Sequence, residues 1–544
     1  MQHVVHEPEF DVAVVGAGFS GLYLAHRNRD GHAGSRVRGR LRRGRHLVLE
    51  SVSRRPLRRR ERRLLLLLLR GASAGMGVVG TVCATTGNPG VHKPCRRQIR
   101  PAPPYRVQYP RRRHPVHRWT LGTRHRQRRI CPFYVLRDGY RRALGTEAPD
   151  FAGLDDFRGQ WFHTARWPAE GVDFTGKRVA VIGTGSTGIQ VIPKVAEEAE
   201  HLLVLQRTPN FTVPARNRRL SEDELRSIKS DYNTRRDQAR RAPSGMPPSV
   251  VPEPGKNLTD EERIRVLERG WTVGGAPAML RSFTDAMSDL EVNAAVGDFV
   301  RSKIAEIVDD PETAAALSPT DYPFGAKRLC ADTDYFATYN RANVDLIDLR
   351  RSPLECITAT GVRCGGVEHA VDIIVFAIGF DAISGAVAEI DIRGRDDQTL
   401  REYWKEGPKA ALGLQVAGFP NFFLVNGPGS PAVLGNVVAF AEQHVEWITD
   451  CIDYVRRNDV ATIESTDDFD EHWAQHVDEV AATTLYVKAK SWYTGDNIPG
   501  KPSRFLPYAA GLDQYRDKCD DIAADGYQPF VLNNIGAAAA TVAG

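Results

Sequence analysis

Residues 177–188 read K-R-V-A-V-I-G-T-G-S-T-G, an apolar run that ends in the pattern G-x-G-x-x-G. The following residues, Ile189–Ala199, carry apolar side chains at helical spacing, and a second apolar run follows at His201–Leu205. Short apolar runs next to glycine-rich turns are typical of buried strands. The stretch therefore predicts a strand–helix–strand unit in which a glycine-rich turn joins the first strand to the helix.

Each glycine of such a turn has its own task. The first permits a tight turn, the second lets a pyrophosphate approach the backbone, and the third lets helix and strand pack closely, while the helix N-terminus faces the negative charge. A lone match is weak evidence, because glycine-rich turns also occur for purely structural reasons. This chain has two matches, each after a strand-like run, so we predict two dinucleotide sites, at Gly16, Gly18 and Gly21 and at Gly183, Gly185 and Gly188.

The second site also indicates which nucleotide it takes. An enzyme that uses NAD normally places an acid after the next strand, where it binds the ribose hydroxyls. Here that strand ends in Leu205-Gln206-Arg207-Thr208. A guanidinium suits a 2′-phosphate, which an acid would repel. The alternative is an ordinary surface arginine. The sequence favours NADPH.

The remaining pattern predicts an α/β protein with two Rossmann-like dinucleotide-binding domains and a helical insertion. Residues 371–377 read V-D-I-I-V-F-A, an apolar run interrupted only by Asp372, as expected in a strand buried on both faces of a parallel sheet. Phe422–Val425 reads as a strand and residues 439–457 as a helix. The predicted division is a first part of one dinucleotide-binding domain at 1–147, an NADP domain at 148–380 with a helical insertion at about 220–310, and a second part of the first domain at 381–544.

The net charge of +6 conceals an uneven distribution. Residues 31–130 contain 26 Arg, one Lys and two acids, a net of about +25, so the rest of the chain carries about −19. Such a segment could be an arm that binds nucleic acid, but the interleaved aromatic residues and module motifs of such binding are missing. We expect no nucleic-acid partner.

The cysteines and the apolar runs bear on location. The eight cysteines form no C-x-x-C pair, which favours reduced thiols over disulfides or a metal site. No apolar signal segment precedes the first strand, and the leucine run at 64–69 is too short to span a bilayer. We expect a cytoplasmic protein without a metal or a membrane anchor.

Between the two glycine loops, residues 157–168 read F-R-G-Q-W-F-H-T-A-R-W-P, which fits F-x-G-x-x-x-H-x-x-x-W-P. This pattern is the fingerprint of Baeyer–Villiger monooxygenases, and its residues here are Phe157, Gly159, His163 and Trp167. Further matches are Q-R-T-P-N-F-T-V-P-A-R-N at 206–217, Y-P-F-G-A-K-R-L at 322–329, G-P-G-S-P-A-V-L-G-N at 427–436 and S-W-Y-T-G-D-N-I-P-G-K-P at 491–502. The chain resembles this family, including its phenylacetone-, cyclohexanone- and steroid-oxidising members, over residues 9–27 and about 148–532.

The resemblance assigns FAD to the domain made of residues 1–147 and 381–544, with substrate-site loops in 381–544, and it implies a chemistry. NADPH reduces FAD, reduced flavin captures dioxygen as a C4a-peroxide, and the peroxide converts a ketone into an ester or lactone. Arg328 matches the family's catalytic arginine, whose fixed charge stabilises the anionic peroxide. His163 belongs to a linker between the nucleotide domains, without a role in proton transfer. Besides the six glycines, the resemblance assigns cofactor contacts to Thr184, Ser186, Gln190, Arg207, Thr208, Lys327, Asn436, Val437 and Trp492, the last on a loop that closes over the nicotinamide.

Two other functions stay open. A related N- or S-oxygenating flavin monooxygenase would share both glycine loops, although the Trp167-Pro168 ending and the K-R-L segment argue against it. The chain could also be an inactive remnant that binds NADP. The expected partners are a small-molecule ketone and dioxygen.

The resemblance is interrupted between about residues 31 and 130. The family there has an acid at the end of the second strand, and then G-G-x-W-x-x-N-x-Y-P-G-x-x-C-D, which wraps the flavin. This chain instead has the arginine-rich run R-G-R-L-R-R-G-R-H-L-V-L-E-S from residue 38. Synonymous codons for residues 44–63, read in another register, can spell V-G-T-W-Y-W-N-R-Y-P-G-A-R-C-D-V-E-S, and residues 77–89 can spell W-S-E-R-Y-A-x-Q-P-E-I-L.

We therefore interpret residues 31–130 as translated out of frame, with the family's frame regained between 131 and 148. The alternative is a genuine basic insertion. As written, the segment lacks the ribose-binding acid, the aromatic flavin cradle and the aspartate that pairs with the catalytic arginine in the family. Dense like charge with little apolar pattern should not build a core. We expect residues 31–130 to be mostly irregular and poorly packed, and the chain to bind little or no FAD.

Overall fold

The computed structural model describes residues 12–15, 20, 21, 23, 24, 27, 35–42, 46–53, 119–120, 133–137, 149–247 and 252–534. The strands, in chain order, are β1 (Val12–Val15), β2 (Ser35–Arg42), β3 (His46–Ser53), β4 (Trp119–Thr120), β5 (Phe133–Arg137), β6 (Gln160–His163), β7 (Arg178–Ile182), β8 (His201–Gln206), β9 (Thr212–Pro214), β10 (Cys330–Asp332), β11 (Val344–Asp348), β12 (Leu354–Ile357), β13 (Gly361–Cys364), β14 (Val367–Ala370), β15 (Ile373–Phe376), β16 (Ile392–Arg393), β17 (Phe422–Val425), β18 (Val460–Glu464) and β19 (Val531–Asn534).

The described α-helices, numbered in the same way, are α1 (Ser186–Glu198), α2 (Glu222–Ser230), α3 (Tyr232–Arg241), α4 (Asp260–Val273), α5 (Ala276–Leu280), α6 (Leu290–Ile307), α7 (Pro311–Leu317), α8 (Tyr335–Thr338), α9 (Gly385–Ala388), α10 (Leu400–Tyr403), α11 (Val437–Arg457), α12 (Asp467–Ala482) and α13 (Leu512–Ala524). Residues 20, 21, 23, 24 and 27 are also helical.

A five-stranded parallel sheet forms the centre of the second nucleotide-binding unit, in the order β11–β8–β7–β15–β6. Its side chains alternate between two cores, as the two-residue period of a strand requires. Val179 and Val181 pack on the face covered by α1, α4 and α6, whereas Ala180 and Ile182 pack against the antiparallel strands β12–β13–β14. The sheet is therefore the middle layer of three.

A second five-stranded sheet has the order β17–β5–β1–β3–β2. Strand β1, which leads into the first glycine loop, is parallel to β5, and β5 is parallel to β17 from the C-terminal part of the chain. The sheet thus joins segments almost 300 residues apart in sequence. The long helix α11 contributes buried side chains to the core cluster that also contains Val12 and Val135.

The predicted elements around the second glycine loop are confirmed. Strand β7, helix α1 and strand β8 follow one another as expected, and all four residues of β15 are buried. Strand β17 has the predicted bounds, and the predicted C-terminal helix is α11. The insertion is helical, and Ser221 and Thr259 begin α2 and α4 with capping boxes that the pattern S/T-x-x-E produces.

We predicted that residues 31–130 are mostly irregular. This prediction is wrong for residues 35–42 and 46–53, the longer stretches of this range that the structure describes. Strands β2 and β3 form an antiparallel hairpin with eight residue pairs, and β3 joins β1 in antiparallel orientation. In a βαβ unit, a parallel strand would pair with β1. Here the antiparallel strand β3 of the hairpin pairs with β1 instead. Strand β4 pairs with β16, and the other residues of 31–130 lie outside the described part of the chain.

Candidate functional site

The second glycine loop has a shape that only glycine permits. Gly183 adopts a φ of +105°, a conformation that residues with a side chain rarely adopt. A Cβ on Gly188 would lie 2.1 Å from the carbonyl oxygen of Gly183, so this glycine lets α1 approach β7. A Cβ on Gly185 would meet no atom of the described residues within 4 Å. The space beside Gly185 is open, at the place where a pyrophosphate would approach.

The polar residues of this loop are held by local hydrogen bonds. The buried Thr184 donates from its hydroxyl to the carbonyl of Thr208 at 3.0 Å, which ties the loop to the end of β8. Ser186 begins α1, and its carbonyl accepts a 2.8 Å hydrogen bond from Gln190 Nε2. The loop, the first turn of the helix and the end of β8 therefore form one unit.

Two cations from distant segments meet beside this loop. Strands β9 and β10 pair in parallel, which places the segment after Arg207 next to the segment that contains Lys327. Burial lowers the pKa of the Lys327 ammonium, and the positive charge of nearby Arg207 lowers that pKa further. In the described part of the chain neither side chain forms an ion pair. Asp321 acts on the Lys327 pKa in the opposite sense, as a lesser cause, without an ion pair between the two. Two neighbouring cations without an ion-pair partner among the described residues fit a bound phosphate.

Tyr322 builds the platform under Lys327. The ammonium lies 4.5 Å from the centre of the tyrosine ring, a cation–π contact. The ring is buried, and its hydroxyl donates to the carbonyl of Pro209 at 2.9 Å. The sequence predicted no role for Tyr322, although the residue lies within a family motif. Its signal was its place in Y-P-F-G-A-K-R-L, five residues before the lysine that it supports.

Arg328 points to another part of the chain. Its guanidinium donates a 2.6 Å hydrogen bond to the backbone carbonyl of Val433. The side chain is exposed, and among the described residues no carboxylate forms an ion pair with it. Its charge also acts on the phenol of Tyr486, whose pKa is raised by burial and partly lowered again by Arg328. Val433 escaped sequence reasoning because a backbone carbonyl leaves no side-chain signal.

Asn436 and Val437 lie at the N-terminus of α11. The Asn436 side chain accepts a 3.1 Å hydrogen bond from the backbone N–H of Val438 and so caps the helix. The same side chain donates to the carbonyl of Gly245 at 3.2 Å, and its backbone N–H donates to Ser244 at 2.8 Å. This helix start is therefore fixed to the helical insertion, close to the Val433 carbonyl that holds Arg328.

The fingerprint residues Gly159 and His163 are held by close packing and by a local hydrogen bond. A Cβ on Gly159 would lie 2.4 Å from the Asp372 carbonyl oxygen and 2.5 Å from the Phe157 ring, so glycine is required there. His163 ends β6, is buried, and accepts a 3.1 Å hydrogen bond from the N–H of Ala165. Burial, and then the charge of Arg166, lowers the pKa of His163. A neutral histidine that holds its own turn agrees with a linker role.

Trp167 and Trp492 belong to different aromatic groups. The ring of Trp167 lies 6.0 Å from that of Phe162 and 6.2 Å from that of Phe174. Trp492 is half-buried and lies 4.5 Å from the ring of Tyr493, at the edge of the core cluster around α11. The two tryptophans therefore support different parts of the molecule.

The first glycine loop is described in part. Gly21 is helical and buried, whereas Gly16 and Gly18 lie outside the described residues. The helix that follows is held to α11 by two contacts, a 3.0 Å hydrogen bond from Tyr23 to Glu446 and a 2.7 Å ion pair between Arg27 and Asp450. Within the described ranges no helix has the length and apolar character to cross a membrane, and no three metal-ligating side chains gather.

Comparisons with known proteins agree with this arrangement. The family model of flavin-binding monooxygenase-like proteins matches residues 138–218. Acetone monooxygenase (methyl acetate-forming) from Gordonia sp. (strain TY-5) is 38% identical over 418 residues, which cover 76% of this chain and 78% of that protein. A phenazine N-monooxygenase from Lysobacter antibioticus is 40% identical over 422 residues, 77% of this chain and 76% of its own.

A solved structure shares the fold as well. The complex of OTEMO with FAD and NADP superimposes with a TM-score of 0.70 at 36% identity, covering 74% of this chain and 75% of that one. The open glycine loop, the paired cations and these similarities define a flavin-binding monooxygenase with two Rossmann-like domains. The chain belongs to the Baeyer–Villiger monooxygenase family.

Proposed function

We propose that the protein is an FAD- and NADPH-dependent monooxygenase that inserts one oxygen atom of O2 next to a ketone carbonyl, giving an ester or lactone. The observation that carries the proposal is the segment from Tyr322 to Leu329. It places Lys327 beside Arg207 at the second glycine loop and Arg328, the next residue, at the Val433 carbonyl. One short segment thus connects coenzyme recognition with the residue expected to act in oxygen transfer.

The NADP site is assigned from the loop outward. The backbone beside Gly185 receives the pyrophosphate, in the space that is open there. Thr184, Ser186 and Gln190 shape the loop and the first turn of α1, and Thr208 holds the loop through its carbonyl. Arg207 and Lys327 bind the 2′-phosphate, because two adjacent cations that form no ion pair within the described ranges can pair with an anion without first giving up a carboxylate.

Arg328 is proposed as the catalytic residue. FAD, when bound, accepts hydride from NADPH and activates dioxygen. The oxygen-transfer step develops negative charge, and a guanidinium stabilises such charge without giving up a proton. Arg328 is held by a backbone carbonyl rather than by a carboxylate within the described part of the chain, so its positive charge is not neutralised there. On the side where Arg328 lies, the residues proposed to border the cofactors are Asn436, Val437 and Trp492.

FAD binding is proposed to use both ends of the chain. The pairing of β1 with β5 and of β5 with β17 supports a domain made of residues 1–147 and 381–544, with 148–380 as the NADP domain. Gly16, Gly18 and Gly21 would hold the FAD pyrophosphate. We also propose that residues 31–130 are out of frame. The alignment with the acetone monooxygenase leaves about a quarter of each protein uncovered, comparable in size with this segment.

The proposed substrates and the proposed location of the protein have separate support. A small ketone and dioxygen are the proposed substrates, in line with the methyl acetate-forming activity for which the acetone monooxygenase is named. We propose no nucleic-acid partner, because the basic segment is explained by the reading frame. A cytoplasmic location is supported by the five cysteines of the described ranges, which are all free thiols.

A second candidate is N-oxygenation, because the phenazine N-monooxygenase is 40% identical. One experiment separates the two. The frame-restored enzyme is supplied with NADPH and, in parallel, a set of cyclic and linear ketones and a set of aromatic amines and N-heterocycles. The proposal expects esters or lactones from the ketones, identified by mass spectrometry with incorporation of one ¹⁸O from ¹⁸O2. N-oxides as the only products would overturn it, and no product from either set would favour an inactive remnant.

A further inference from the structure

The segment that carries Trp492 is fastened to the chain just after β15. The side-chain amide of Asn497 donates a 2.8 Å hydrogen bond to the carbonyl of Phe380. The ammonium of Lys501 forms an ion pair with Asp381 and donates a 2.8 Å hydrogen bond to the hydroxyl of Ser384. Residues 491–502 are therefore bound at three points to residues 380–384.

The central ion pair is largely removed from water. The side chain of Lys501 is 11% exposed and that of Asp381 is 23% exposed. A charge in such surroundings is stable only with a good partner, so removing one member leaves the other uncompensated. Gly385 leaves room for the pair, because a Cβ there would lie 2.3 Å from the Asp381 carboxyl carbon.

The backbone between the two acceptors is strained. Ile383 is buried and has a φ of +69°, which is unfavourable for a β-branched residue. Such a conformation persists only where the surroundings hold it, and it is common at functional sites. Asp381 and Ser384 flank Ile383, and both of their side chains bind the ammonium of Lys501.

The fastened segment connects two parts of the proposed NADP site. On one side, residues 380–384 follow β15, whose end lies against the turn at Gly183, since a Cβ there would be 2.6 Å from the Ala377 carbonyl oxygen. On the other side, Trp492 packs on Tyr493, and the Tyr493 carbonyl accepts a 2.8 Å hydrogen bond from Leu506. Lys501 joins residues 380–384, which follow the Ala377 contact with the glycine loop, to the segment that carries Trp492.

We propose that Lys501 is a positioning residue that holds the Trp492 segment against the NADP end of the glycine loop, and that its ion pair with Asp381 sets how firmly NADP⁺ is retained. This inference rests on the proposed function, which assigns Trp492 to the nicotinamide side of the site. We assign Lys501 no direct contact with the coenzyme. It acts through the segment that it fastens.

Hydrogen exchange of the purified chain, without coenzyme and with saturating NADP⁺, tests the inference, together with calorimetric titration of NADP⁺. The variants are Lys501→Met, Lys501→Arg and Asp381→Asn. Lys490→Met is the matched control, since Lys490 is an exposed lysine immediately before the segment. We expect Lys501→Met and Asp381→Asn to speed amide exchange in residues 491–502 and to weaken NADP⁺ binding roughly tenfold. Lys501→Arg should restore most of both properties, and Lys490→Met should match the parent.

The outcomes separate the inference from the function on which it rests. A parent chain that binds no NADP⁺ would overturn the proposed function and this inference with it. A parent that binds NADP⁺ while Lys501→Met binds it equally well would overturn the inference alone. Equal exchange in Lys501→Met and the parent would show that the ion pair does not fasten the segment. A loss in Lys501→Met that Lys501→Arg does not restore would count against positioning by charge.

Discussion

The guanidinium of Arg328 donates a 2.6 Å hydrogen bond to the backbone carbonyl of Val433, 105 residues further along the chain. This contact connects the segment that follows the helical insertion with the loop that leads into α11. A carbonyl acceptor fixes the arginine without neutralising it, so its positive charge stays available to an anion. The neighbouring Lys327 turns to the nucleotide loop instead, where its pKa is lowered by burial and by Arg207.

Replacing Arg328 should separate the two halves of the reaction. In the frame-restored enzyme, we expect Arg328→Ala to consume NADPH at near the parental rate but to form roughly 10²–10³-fold less ester, because one preorganised charge stabiliser is lost. The reducing equivalents should appear as hydrogen peroxide. Arg226→Ala, which removes an exposed arginine of α2, serves as the control. Ester formation in Arg328→Ala at the level of the control would show that another residue stabilises the anion.

The glycine loop allows a sharp comparison between two alanine substitutions. Gly185→Ala adds a Cβ in open space, so folding should be unchanged, yet the methyl group occupies the approach of the pyrophosphate. We expect its melting temperature to match that of the parent and its NADP⁺ affinity to fall at least about tenfold. Gly188→Ala should lower both, because its Cβ would meet backbone at 2.1 Å. Tight NADP⁺ binding by Gly185→Ala would mean that the pyrophosphate does not lie there.

Arg207 and Lys327 should determine the preference for NADPH. Losing one charged phosphate contact should cost about 1.5–3 kcal/mol for NADP⁺ and almost nothing for NAD⁺. Titration of both coenzymes against Arg207→Ala and Lys327→Met measures this difference. Because the pKa of Lys327 is lowered, its charge is lost at a less alkaline pH than that of an ordinary lysine. NADP⁺ affinity should therefore decline as pH rises into that range, and the decline should disappear in Lys327→Met. Equal affinities for the two coenzymes in the parent would contradict the assignment.

His444 should make the protein sensitive to acid. It is fully buried on α11 and accepts a 2.9 Å hydrogen bond from the N–H of Asn426, and burial, with the charge of Arg516 as a lesser cause, lowers its pKa to about 3. An unfolded histidine titrates near its ordinary value, so between the two pKa values the unfolded state binds more protons. The stabilising contribution of the buried, neutral His444 is therefore fully present above about pH 6.5. As the pH drops further, the free energy of unfolding falls by up to about 1.4 kcal/mol per pH unit.

The measurement is the difference in melting temperature between pH 7 and pH 5. We expect this difference to be smaller in His444→Gln than in the parent, even though the substitution lowers stability at pH 7. His472→Gln removes an exposed histidine and should keep the parental difference. An unchanged difference in His444→Gln would show that His444 does not govern acid sensitivity.

The local parts of the site could be predicted because their causes are local. The tasks of Gly183, Gly185 and Gly188 follow from their spacing, and the structure gives each of them the expected shape. The burial of Ile373–Phe376 follows from an apolar run without polar breaks. Arg207 follows a strand of predictable length. Each of these inferences needs only neighbours within a few turns of chain.

The contacts between distant segments could not be read in this way. The acceptor of Arg328 is a backbone carbonyl, the ring under Lys327 is a tyrosine that could have served only the core, and Lys501 finds Asp381 across 120 residues. These pairs depend on how sheets and loops pack. The hairpin of β2 and β3 was missed for another reason, since a charge-rich, unpatterned run gives weak evidence about backbone pairing.

We propose that this chain descends from an FAD- and NADPH-dependent enzyme and that a shifted reading frame has replaced its flavin-binding segment. The most direct measurement is the molar ratio of FAD to protein, taken from the absorbance released on denaturation. It is made for the chain as written and for a version in which the frame is restored over residues 31–130. We expect a ratio near zero for the written chain and near one for the restored chain, with NADP⁺ binding in both. Stoichiometric FAD in the written chain, or none in the restored chain, would overturn this proposal.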